Sequence, residues 1–150
     1  MKKIQFTVST IILLVPFIYA GMHWSEFPDS VPIHFNASGE ADGFGSKGFV
    51  WLLPIVNVII WLFMLAAYKV PRLLNMPYYN ADNVTHRKIA AHLLGWFQIL
   101  TSLFITILSI QTSFAALGNE TNIAIMPIIL FLIVLTGLII YYARQFKKTR

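Results

Sequence analysis

Residues 49–68 read FVWLLPIVNVIIWLFMLAAY, with no Asp, Glu, Lys or Arg among them. A helix of that length crosses the roughly 30 Å hydrocarbon core of a bilayer. Working outward, three more stretches share this character: Ile4–Met22, His92–Ala116 and Ile123–Ala143. Each is apolar around most of its circumference, so the period near 3.6 that marks an amphipathic helix is muted. In lipid a segment must satisfy its own backbone hydrogen bonds, and at this length helix does so. The chain therefore reads as an all-α integral membrane protein, a four-transmembrane-helix bundle forming one membrane domain over residues 1–150.

Composition agrees. The 150 residues are 57% hydrophobic and 11% charged, with a mean hydropathy of +0.70; soluble domains carry about 25% charge. So little charge leaves apolar surface that only a bilayer can solvate. The net charge of +5 does not imply nucleic acid, because the basic residues gather at the chain ends and in one central loop, with no interleaved basic and aromatic surface. No nucleic-acid partner is expected. The chain has no cysteine, which excludes internal disulfides, thiolate catalysis and cysteine-ligated metal centres. No cofactor and no metal is expected.

The connecting segments set an orientation. Lys2 and Lys3 precede the first span, and Arg144, Lys147, Lys148 and Arg150 follow the last. The loop 69–91 carries Lys69, Arg72, Arg87 and Lys88 against Asp82. The loop 23–48 carries Glu26, Asp29, Glu40 and Asp42 against Lys47, and the short third loop holds Glu120. Basic residues mark cytoplasmic flanks. Both termini and loop 69–91 are thus expected in the cytoplasm, and loop 23–48 outside the cytoplasmic membrane. A competing reading makes the first span a cleaved signal peptide ending near Tyr19-Ala20-Gly21. Trp24, Trp51, Tyr68, Tyr141 and Tyr142 lie near span ends, where amphipathic rings favour headgroups. Pro16, Pro54 and Pro127 fall within spans and predict kinks. Asp82 or Asn83 is placed to cap a helix that carries His86, Arg87 and Lys88 along the cytoplasmic surface before entering the third span.

The long outer loop is the most informative segment. Val31, Ile33 and Phe35 alternate with Pro32, His34 and Asn36, a period of two that predicts a short extended segment with one apolar face. Asn36 to Gly39 is turn chemistry, and Gly43 and Gly45 permit φ > 0. Loops this long often carry function. Three chemical readings of its polar groups stand beside recognition of an external ligand. His34 with Asp29, Glu40 and Asp42 offers metal donors without recognised spacing. His34, Asp42 and Lys47 offer acid–base groups without a nucleophile, the catalytic alternative for a chain expected to be no enzyme. An ordered cap needs neither, with Phe35, Phe44 and Phe49 dipping into the interface.

The third span holds Gln98, Ser102, Thr106, Ser109 and Ser113 at intervals of four, four, three and four, an intramembrane polar stripe on one helical face. It reads either as a water-lined path or as interhelical hydrogen bonding, with Asn57 a candidate partner. No acidic or basic side chain lies within a span, His23 and His92 sitting at the edges, and there is no inverted repeat, which argues against a coupled transporter. The tripeptides at Asn36, Asn83 and Asn119 match the glycosylation pattern but are too short to carry function.

The pattern Phe27-Pro28, Val31-Pro32-Ile33-His34-Phe35-Asn36, Gly39, Asp42 and Lys47, continued more weakly by Leu74-Asn75-Met76-Pro77 and Asn83–Arg87, resembles a bacterial membrane family of unknown function. That family forms the N-terminal part of the sporulation-delaying-protein immunity proteins. The resemblance implies a cytoplasmic-membrane protein with Pro28, Val31, Pro32, His34, Phe35, Asn36, Gly39, Asp42 and Lys47 as an outer ligand-binding or loop-structuring motif. It also implies defence against a secreted peptide toxin. The chain departs from the pattern at Phe27, where Leu is usual, and lacks the further spans of those proteins. The leading expectation is a non-enzymatic protein recognising an extracytoplasmic peptide or small ligand in immunity or signalling. The alternative is an accessory subunit of a transporter or enzyme complex. Expected partners are the bilayer, such a ligand, and a membrane-protein partner or a second copy.

Overall fold

Helix α1 (Lys3–Met22) leads into strands β1 (Ser30–Phe35) and β2 (Ala41–Ser46), and a 3-10 turn, Lys47–Trp51, runs into α2 (Leu52–Lys69). A loop with a second short turn, Pro71–Leu73, leads to α3 (Val84–Ala116) and then α4 (Met126–Lys148). This is a computed structural model, and it describes residues 3–119 and 122–149. Lys2, Glu120, Thr121 and Arg150 lie outside the described residues, as do the parts of the charge and tripeptide expectations that rest on them. The helices α1, α2 with its preceding turn, α3 and α4 are each long and apolar enough to cross a membrane.

Three expectations need correction. The protein is mostly helical but not all-α, since β1 and β2 pair as a two-stranded antiparallel sheet. Short strands flanking turn residues satisfy through cross-strand bonds the polar groups that this non-helical stretch would leave open. The helix expected to begin after Asn83 enters the third span without a break: α3 is continuous for 33 residues, about 50 Å at 1.5 Å per residue. The Asn83 side chain caps it, accepting from Thr85 N at 2.8 Å and His86 N at 3.2 Å, and neither Pro nor Gly interrupts the chain before Gly95. The fourth helix starts at Met126 rather than Ile123 and continues to Lys148. Pro54 and Pro127 sit in the first turns of their helices, where a missing N–H removes no intrahelical bond, so only Pro16 is interior.

The bundle is organised by a seam between α1 and α3. Gln5, Ser9, Leu13, Pro16 and Ala20 are the buried residues of α1. Their intervals of four, four, three and four repeat those of Gln98, Ser102, Thr106, Ser109 and Ser113, all buried on α3. Gln5 lies against Gly95, Thr106 reaches Ile12, and Ala20 packs with Ala116, so the two helices run parallel. Small residues along the seam let the backbones approach. Pro16 has no N–H to give the Ile12 carbonyl, and Thr106 Oγ1 donates to that carbonyl instead at 3.1 Å.

Candidate functional site

Above α1 and α3 stands the hairpin, anchored by apolar side chains beneath it. Phe27 and Val31 are buried with Ala20 and Ala116, with Val50, Trp51 and Leu117 around them. Register shifts flank His34, the first leaving Ile33 without a partner, so the expected alternation breaks: Val31 faces inward, whereas Ile33 is exposed. A bulge turns the extra residue outward. Gly43 and Gly45 do not adopt positive φ. They leave room instead, since a Cβ would come within 2.9 Å of His34 Cβ at Gly43 and of Ile33 Cδ1 at Gly45.

The turn is built around Asn36. Its Oδ1 accepts from Ser38 N at 2.8 Å and Glu40 N at 3.0 Å, while its Nδ2 donates to Glu40 Oε2 at 3.1 Å. Gly39 follows with φ +84°, a conformation glycine adopts without steric cost. Its carbonyl accepts from Ile123 N at 2.8 Å, and Glu40 bridges to Asn122, docking the turn on the α3–α4 connection. Gln111 Oε1 accepts from Ala124 N at 2.8 Å and fixes the same connection from below.

On this base, His34 Nδ1 donates to the Asp42 carboxylate, and both side chains are exposed. Lys47 does not join them. It follows Asp42 by five positions at the end of an extended strand, on the order of 16 Å away, and its ammonium sits 4.6 Å from the centre of the Trp24 ring. Among the described residues no three His, Asp or Glu side chains gather closely enough to hold a metal ion. Pro28 is exposed, and Pro32, Phe35 and Asn36 are half-buried. The motif thus divides. Val31, Asn36 and Gly39 build and dock the hairpin, while His34 and Asp42 are presented on it.

The polar stripe lies inside the bundle. Asn57 Nδ2 donates to the Ser102 carbonyl at 3.4 Å, and Trp61 Nε1 donates to Ser9 Oγ at 3.2 Å. Asn57 Oδ1, Gln98 Nε2 and Thr101 Oγ1 are buried without a hydrogen-bond partner. Sequence reasoning missed the α1 half of this seam. The signal was present: Gln5 and Ser9 are polar residues one turn apart in a span, matching the Gln98–Ser102 step. Gln111 was passed over because it stands off the stripe.

At the opposite end, the α4 terminus closes on the 74–83 loop. Phe146 packs edge-on against Tyr79 and His86, with ring centres at 5.5 and 5.4 Å. His86 Nδ1 accepts from Asn80 N at 3.0 Å, which places its proton on Nε2, buried among these rings.

A DUF1648 domain, a domain of unknown function, is found at residues 11–58. It takes in the second half of α1, the whole hairpin and the start of α2 through Val58. A relative in Archaeoglobus fulgidus, described as an uncharacterized protein, is 26% identical over 128 residues, covering 79% of this chain and 67% of its own. No solved structure matches the chain. The likenesses give the domain and not a role, and the four long apolar helices are what make this a membrane protein.

Proposed function

We propose that the chain is a non-enzymatic multi-pass protein of the cytoplasmic membrane whose outer hairpin recognises a peptide or small ligand in defence or signalling. The observation that carries the reading is the exposed His34–Asp42 pair on a hairpin fixed from beneath. A rigid base holding outward polar groups suits recognition, because little ordering is needed on binding. Glu26, Asp29, Glu40 and Asp42 outnumber Lys47 at this end, and Lys47 is engaged by Trp24, which favours a positively charged ligand. The basic residues at the other end support cytoplasmic termini. The resemblance of the hairpin motif to the sporulation-delaying-protein immunity proteins supports the defence role.

The test is cross-linked affinity capture from native membranes, comparing the natural chain with His34→Ala and Asp42→Ala. A ligand captured by the first and lost from both variants is expected; identical captures overturn the reading. The absence of cysteine makes sidedness separately testable. With single cysteines at Ser38 and Thr149, an impermeant thiol reagent on intact cells should label the first only.

A second reading, an accessory subunit, is favoured by α4, whose Leu130, Ile133 and Ile140 are exposed along one helix. With the stripe enclosed by α1 and α2, a partner subunit would meet this face. Leu130→Ser with Ile133→Ser should then release a co-purifying membrane protein, and retention would count against it.

A further inference from the structure

An open-sided groove of about 330 Å³ lies between α2, α3 and α4 at the end away from the hairpin. Its walls include Met64, Phe97 and Ala143, its roof is Asn75, Met76 and Pro77, and its lining is almost wholly apolar. That volume falls in the range of small-molecule sites. An apolar trough in a membrane-spanning bundle fits an acyl chain, and the charge around it selects the kind of lipid. Lys147 follows Ala143 by one turn on the same face of α4, and Arg87 precedes the lining residue Leu94 by two turns on the same face of α3. Both are exposed, as are Lys69, Arg72, Lys88, Arg144 and Lys148 at this end, against a single acid, Asp82, among the described residues there. Asp82 lies 3.6 Å from Arg72 and so answers one of these cations, while the Lys147 ammonium rests 5.9 Å from the centre of the Tyr78 ring, a looser contact than that of Lys47 with Trp24.

A second groove, lined by Leu100, Phe104, Pro127, Phe131 and Val134 among others, serves as an internal contrast. It is equally apolar, but residues 100–134 contain no Lys or Arg. Apolar surface occurs in both places, whereas apolar surface beneath cations occurs in one.

We infer that the groove roofed by Asn75–Pro77 is a site for an anionic membrane lipid, with one acyl chain in the trough and the headgroup held by Lys147 and Arg87. Basic pockets between membrane helices take anionic headgroups in this way. The inference requires only that the chain resides in a bilayer, and it is independent of any hairpin ligand.

The experiment uses the full chain in detergent micelles, titrated separately with dioleoyl phosphatidylglycerol and dioleoyl phosphatidylcholine, bound lipid being counted by native mass spectrometry. Phosphatidylglycerol should be retained over phosphatidylcholine. Lys147→Gln and Arg87→Gln should each lower phosphatidylglycerol affinity about fivefold while leaving phosphatidylcholine unchanged. Ala143→Trp should block both lipids, and Val134→Trp, in the other groove, neither. Equal retention of the two lipids by the natural chain overturns the inference. So does an unchanged preference in both Gln variants, whose side chains are exposed and whose folding is not at issue. Competition by soluble glycerol 3-phosphate would also overturn it, because a site that needs the acyl chain does not yield to a bare headgroup.

Discussion

At one end of the bundle Ala20, Phe27, Val31 and Ala116 form an apolar plug beneath a β-hairpin; at the other Ala90, Leu93, Tyr142 and Phe146 form one beneath a loop without strands. Both segments must satisfy backbone groups that no helix serves. The hairpin does so by strand pairing, by Asn36, and by the bond between the Gly39 carbonyl and Ile123. The 74–83 loop does so partly with side chains, through Asn80 and His86, and Tyr79, His86 and Phe146 are then enclosed together. An end held through backbone leaves side chains such as His34 and Asp42 free to meet other molecules. An end held through side chains turns them inward and is left with the long cations on its rim.

The largest effect should come from Phe146→Ala, a fully buried ring whose loss costs about 3–5 kcal/mol. The melting temperature in detergent should fall sharply, with hydrogen-exchange protection lost over residues 74–83 and kept in the hairpin. Equal loosening of both would show that the ends are not independent. Gly39→Val should cost about 2 kcal/mol through its positive φ, and more because an added Cβ would lie 2.4 Å from the Ile123 carbonyl oxygen. Limited proteolysis should then nick the hairpin first. Asn36→Ala, which removes the acceptor for two backbone N–H groups, should cost about 1–2 kcal/mol and loosen the same segment without moving the other end. In the seam, Thr106→Val should cost about 0.6 kcal/mol, read as a small shift of the melting temperature.

Tyr79→Phe should be nearly neutral at neutral pH, because the hydroxyl it removes is buried without a partner. Burial pushes the Tyr79 hydroxyl above its usual 10.0, the charge of Arg87 opposing in part. Since the folded state favours the neutral phenol, its packing is intact below pH 10 and is lost as pH rises through the raised value. A pH titration of stability should show a shallower alkaline limb in the Phe variant than in the natural chain.

How much of this was legible depends on the range of the interaction. The apolar runs are legible because a span needs only its own residues, and the Asn36–Gly39 turn because it closes over four positions. The bulge at Ile33 was not, since it depends on which residue of β2 stands opposite. The stripe on α3 showed its own periodicity, but nothing local says that Gln5 and Ser9 meet it from the far end of the chain. Nor does spacing reveal that His34 and Asp42, eight positions apart, become neighbours while Lys47, five from Asp42, is carried off to Trp24. Pairing across strands and helices decides these, and single-segment patterns do not report it.

The parallel pairing of α1 with α3 has a consequence during synthesis. Gln5 and Ser9 leave the ribosome with the first helix, but Gly95 and Gln98, which complete their surroundings, come with the third. At about 5–20 residues per second, the first helix waits on the order of ten seconds before its permanent neighbour is made. Over that interval Ile12 shows a bare carbonyl to whatever surrounds the nascent chain. The insertion machinery must therefore shelter the first helix, or the first two together, until the third arrives.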